Sequence, residues 1–302
     1  MTVNSAGTHN LTSIVDVRCR PPLPEFRQYF EPARLTKQSA RSGAPYVSEA
    51  FLTGSMDKFF DEMKVAGIAS AVVQGRNSPE RIMGTKFNAA FIDNALIGDL
   101  QSTYPDVFIG FAGIDVSNTV HDAVAETARC LATLHLAGIF IEPGRALGCA
   151  PDDERIFPVY EECLRFDAPV NVMTGPFAGP DIESSHPVHI DRLATRFPAL
   201  KIICGHGCYP YVNEIIAVAY KHRNVFVSPD MYMFAPGGSA YAEAANLLLQ
   251  DQMLFGSAYP LLPMEYAVRA TAALPMSAEA MNSYLRGNAI ALLNTSRTER
   301  QR

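Results

Sequence analysis

Short, continuously apolar runs alternate along the chain with stretches whose apolar residues recur every third or fourth position. The first pattern predicts strands buried on both faces, and the second predicts helices with one face on a core. Strands are expected at Ser13–Val17, Ala69–Gln74, Val107–Gly113, Ile139–Glu142, Pro169–Met173, Leu200–Cys204, Asn224–Val227 and Met253–Phe255. Helices are expected at Ser55–Ala66, Asn88–Thr103, Thr119–Leu136, Asp153–Phe166, His189–Arg196, Tyr211–Lys221 and Ser239–Leu249, with helix again to about Asn294 and a frayed tail, Thr295–Arg302. Eight strands alternating with helices are repeated βαβ units, which gives an α/β fold of the (β/α)8 TIM barrel type. An open doubly wound sheet would want a glycine-rich turn after the first strand, and Val17–Pro22 is not one. The polar, proline-containing stretch 18–51 has no clean period. It reads as an insertion covering one end of the barrel.

Composition narrows the function classes. The 302 residues fit one barrel domain spanning 1–302. Hydrophobic residues make up 48% and charged residues 19%, enough to fill a large core. A net charge of −6 without a basic run argues against a nucleic-acid partner. No apolar run approaches the roughly 20 residues of a membrane span, and the polar Met1–Asn10 has no secretory apolar stretch. Six scattered cysteines read as reduced core thiols, consistent with a cytoplasmic protein.

Barrel chemistry sits where strands end. Arg18 and Arg20 follow the first strand on one side of the chain, and Arg76 and Asn77 follow the second. Glu142 ends the fourth, His206 follows the sixth between Gly205 and Gly207, Asp230 follows the seventh and Tyr259 the eighth. Paired guanidiniums suit a carboxylate, which they can grip bidentately. His206 is the natural acid–base residue. Asp230 and Glu142 can orient it, pair with the arginines or activate water. Arg76, Asn77 and Tyr259 are candidate substrate contacts. The plainer alternative is an ion-pair network filling an idle site. Asp16 reads as a structural acceptor and Met173 as packing. Met231–Phe234 is an apolar strip that walls a pocket or plugs the barrel top.

Several stretches carry a family resemblance. They are Glu154–Arg165 with Phe157-Pro158-Val159-Tyr160, then Phe197–Ile202 with Gly205-His206-Gly207 and Pro210. Leu254–Ser257, Tyr259-Pro260 and Gly287-Asn288-Ala289 complete the set. Together they resemble the amidohydrolase family that contains 2-amino-3-carboxymuconate-semialdehyde decarboxylase. The resemblance implies a His-x-His pair, two further histidines and an aspartate around a divalent metal. Those positions hold Arg18, Arg20, Met173, His206 and Ala258 here. Arginine has no lone pair to give a cation, and one histidine does not make a zinc site. No metal and no other cofactor is therefore expected, although His206, Asp230 and Glu142 would suit a relocated ion in ligand type.

The expectation is a metal-independent hydrolase acting on a small carboxylated lactone, ester or amide, with Arg18 and Arg20 on the carboxylate and His206 as acid–base. A decarboxylase or other lyase is the alternative, and a non-catalytic binding barrel the third reading. Family analogy adds a homodimer.

Overall fold

The computed structural model describes residues 13–79, 81–82, 85–86 and 90–298, with side chains omitted for 81–90 and beyond 293. Seven parallel strands form one sheet in chain order: Ile14–Cys19, Ile68–Gln74, Phe108–Ile114, Gly138–Ile141, Val170–Met173, Ile202–Gly205 and Val225–Ser228. An eighth segment closes the ring. Met253 bridges Val227 in parallel, Leu254 N–H donates to Val227 O at 2.9 Å, and Val17 N–H donates to Phe255 O at 2.9 Å. Met253–Phe255 thus stands between the seventh strand and the first, where the sequence places strand eight. Helices connect the strands, and the result is the (β/α)8 barrel.

The local causes are ordinary ones. All six residues of Ile14–Cys19 and all four of Gly138–Ile141 are buried, as parallel strands sandwiched between layers must be. The helix Ser55 was expected to open is Met56–Ala66, with the Ser55 side chain accepting from Lys58 N–H and Gly67 ending it at φ +75°. Asp93 and Asp122 cap the helices Asn94–Thr103 and Ala123–Ala132. Both helices are shorter than their apolar periodicity predicts. Residues Ala90–Phe91 instead pair with Asn77–Ser78 as a short antiparallel ladder. The predicted start at Asn88, the N-terminal Met1–Asn10 and 299–302 lie outside the described residues. Helix continues through Thr298, further into the polar tail than expected. Among the described residues no helix is long and apolar enough to cross a membrane.

The segment after the first strand is helical. Pro24–Arg27, Pro32–Arg41 and Glu49–Thr53 lie in it, two of them opened by proline in the first turn. The first strand itself runs to Cys19, so Arg18 belongs to the sheet.

A separate apolar cluster joins Val72, Ile203 and Leu254 to Leu292 and Leu293 of the last helix. Two residues further along the same strand faces stand Gln74, Gly205 and Gly256, all bordering Arg18. The barrel therefore changes from apolar to polar within one residue pair along its axis, toward the strands' C-terminal ends.

Candidate active site

Arg18 is the centre of this polar layer. It is 3% exposed. Its Nη1 donates to Gln74 Oε1 at 3.2 Å, its Nη2 reaches Met173 Sδ at 3.6 Å, and its Nε lies 3.3 Å from Asp230 Oδ2. The guanidinium also lies against the Phe140 ring, 5.4 Å from its centroid. Room for this side chain comes from two glycines. A Cβ on Gly205 would stand 2.9 Å from Arg18 Nη1, and one on Gly256 would stand 2.3 Å from Asp230 Oδ1.

Asp230 and His206 meet beside it. His206 Nδ1 lies 2.9 Å from Asp230 Oδ2, and the His206 backbone N–H donates to the same oxygen at 3.1 Å. Ser228 Oγ donates to Oδ1. Arg18 Nε makes an ion-pair contact with Asp230 without an aligned hydrogen bond, and His206 Nδ1 meets the same carboxylate at short range. Burial pulls the His206 imidazole down to about 4, with the Arg18 charge acting in the same direction and Asp230 opposing. His206 is thus neutral at pH 7 and can accept a proton.

Arg20 is different. It is 9% exposed and its Nε has no hydrogen-bond partner. It lies over Phe140 at 5.8 Å and has no ion-paired carboxylate among the described residues. Burial lowers its pKa to about 9, helped by Arg18 and Arg76, so it stays charged at pH 7. A buried cation with only the more distant Glu142 charge to offset it is costly, and an anionic ligand would relieve that cost.

Glu142 belongs to a neighbouring cluster. Arg76 Nε donates to its Oε2 at 2.9 Å, Arg145 Nη1 lies 3.1 Å from Oε1, and Ser78 Oγ adds a contact at 3.3 Å. Below these groups Asp16 is fully buried and accepts from Ser257 N–H and Oγ and from Arg18 N–H. Burial nevertheless raises its pKa to about 7. It is the structural acceptor that the sequence suggests.

A cavity of about 500 Å³ opens above this floor, within the size range of small-molecule sites. Arg18, Arg20, Arg76, Glu142 and His206 line it, and Asp230 lies just behind His206. Met173 also faces it, and from the predicted apolar strip Met231 and Tyr232 form part of the wall. The His206 ring stands edge-on to Tyr232 at 5.3 Å. Two expected substrate contacts are not there. Asn77 spends its amide on Ile92 O, Gly113 O and Ile92 N–H, fastening a loop. Tyr259 is buried in an aromatic cluster with Phe51 and Phe59, its hydroxyl 2.6 Å from Ser48 Oγ. Three of the lining arginines escape the sequence reading: Arg145, Arg34 and Arg41. Arg145 was legible as a partner three residues after Glu142.

The donor set does not fit a divalent metal. Arg18 brings a cation into the space between Asp230 and Met173, and Ala258 offers no donor. The relocated set also fails, because Glu142 is taken up by Arg76 and Arg145. Among the described residues no three His, Cys, Asp or Glu side chains converge as ligands.

A closed parallel barrel with its ionisable groups gathered at the strand ends is the architecture of the TIM-barrel class. The amidohydrolase family model matches residues 27–295, and the chain belongs to that family. An uncharacterised TIM-barrel protein from Bordetella bronchiseptica is 34% identical, with TM-score 0.86, covering 94% of this chain and 99% of that one. Two more distant structures share the fold. One is 2,6-dihydroxybenzoate decarboxylase from Rhizobium, at 17% identity, TM-score 0.68 and coverage of 94% and 99%. The other is 5-carboxyvanillate decarboxylase from Sphingomonas paucimobilis, at 16%, 0.62 and 93% and 99%. No curated protein matches.

Proposed function

We propose that this protein is a lyase that removes CO₂ from a small carboxylated compound without a metal ion. The observation that carries the reading is the pairing, in one cavity, of an unpartnered buried guanidinium, Arg20, with a histidine held against Asp230. Two distant relatives of this fold are decarboxylases, which favours this reading over hydrolysis. Arg20 grips the carboxylated ligand, and Arg18 supplies a fixed positive charge beside the reacting carbon. When the carbon–carbon bond breaks, its electron pair stays on carbon and takes a proton, so one proton is consumed per CO₂ released. The negative charge of the bound ligand raises the His206 pKa, and His206 then delivers that proton and regains one from solvent.

The second reading is hydrolysis of a carboxylated lactone, ester or amide. The neutral imidazole of the ligand-free protein favours it, because such a group can take a proton from water. Turnover of a panel of small aromatic carboxylates and carboxylated lactones in D₂O and in ¹⁸O-water separates the two. Decarboxylation leaves deuterium on carbon and releases CO₂, whereas hydrolysis places ¹⁸O in the product. Binding without turnover would identify a ligand-binding barrel. Full activity in both Arg20→Gln and His206→Asn variants would remove the chemistry from this cavity.

A further inference from the structure

The cavity holds more positive charge than one carboxylate requires. Arg18 is balanced by Asp230, while Arg76 and Arg145 share Glu142. Arg20 waits on the floor without a partner. Two more guanidiniums line the same cavity. Arg34 and Arg41 lie on the helix Pro32–Arg41, and Gln38 between them lines the cavity as well. Their spacing of four and three residues puts all three on one helical face, beside the buried Leu35 and Ser39 that anchor the helix. Both arginines are exposed, and neither has a hydrogen-bonded or ion-paired partner among the described residues. The helix therefore does not use them to hold itself in place.

We propose that Arg34 and Arg41 form an outer oxyanion subsite, so that the ligand carries two acidic groups, an inner one on Arg20 and an outer one on this helix. The proposal rests on the reading of the cavity as a carboxylate site and names the class of molecule it takes. A small ring or chain with oxyanions at separated positions spans floor and rim. A monoacid leaves the rim arginines in water, where they add little. Guanidiniums matched to an oxyanion by paired hydrogen bonds discriminate more strongly than charge alone.

The probes are benzoate, isophthalate, terephthalate and 3-sulfobenzoate, titrated calorimetrically against the full chain. At least one of the three dianions is expected to bind about tenfold or more tighter than benzoate. The Arg34→Ala/Arg41→Ala variant, altered only at exposed positions, is expected to lose that advantage and to bind benzoate as the parent does. Lys64→Ala is the control. Lys64 is exposed on the helix Met56–Ala66 and does not line the cavity, so its loss should leave the ratio unchanged. Equal weakening by Lys64→Ala would show diffuse attraction and overturn the subsite, as would a double variant that keeps the preference for dianions. Benzoate binding that depends on Arg20, with no effect of Arg34 or Arg41, removes the outer subsite alone. Failure of all four probes to bind removes the carboxylate reading together with it.

Discussion

His206 and Asp230 face each other at 2.9 Å from two loops that both hold the backbone in the left-handed region, with φ +72° at His206 and +54° at Asp230. That conformation disfavours side chains with a Cβ, and non-glycine residues adopting it concentrate at functional sites. Here it brings a carboxylate and an imidazole, each at a strand end, to the same side of Arg18.

Asp230 also compensates the buried Arg18. Asp230→Asn keeps the shape but strands the cation, and should cost about 3 kcal/mol of stability. Arg18→Met in the same chain should recover much of that loss while activity stays absent. Urea denaturation of the two single variants and the double variant tests the coupling. Strictly additive losses would mean that the pair does not act as a unit.

The buried titratable groups predict opposing pH effects. His206 has a folded pKa of about 4, below the ordinary 6.5. Its contribution is present above 6.5 and is lost as pH falls toward 4. Asp16 has a folded pKa of about 7, above the ordinary 3.8. Its contribution is present below 3.8 and is lost as pH rises toward 7. Between pH 4 and 6.5 the two slopes oppose, each limited to about 1.4 kcal/mol per pH unit. The Asp16→Asn variant should therefore gain stability with rising pH in this window, and His206→Gln should lose it. Parallel profiles for the two variants would contradict the assignments.

Gly256 is a steric requirement of the site. Gly256→Ala places a methyl group against Asp230 Oδ1 and Arg18 Cβ, and should cost about 1–3 kcal/mol and most of the activity. Gly237→Ala adds a Cβ in open space, so its cost should come only from the backbone at φ +82° and activity should persist. Equal activity losses in both variants would refute the packing explanation.

Metal removal should be without effect. Tag-free protein is expected to contain far less than one zinc or manganese per chain by plasma mass spectrometry, and EDTA should leave turnover unchanged. A stoichiometric ion whose removal abolishes activity would overturn the metal-free reading.

The barrel was legible because parallel strands read as unbroken apolar runs, even at Met253–Phe255, where the ladder is reduced to a bridge. The site was legible as positions but not as directions. Knowing that Asn77 and Tyr259 follow strands does not reveal that one turns back to the backbone of Ile92 and Gly113 and the other into Phe51 and Phe59. The helix Pro32–Arg41 was hidden because only Leu35 and Ser39 are buried along it, too few for an apolar period. Its signals were Pro32 in the first turn and the spacing of Arg34, Gln38 and Arg41.

The first strand and the helical stretch behind it supply both ends of the cavity, from Arg18 and Arg20 at the bottom to Arg34 and Arg41 at the entrance. Bottom and entrance are contiguous in the chain, so a single recombination event in the first part of the gene would exchange them together. The two ends of the cavity would then be inherited as one cassette, while the sixth and seventh strand ends keep His206 and Asp230 in place.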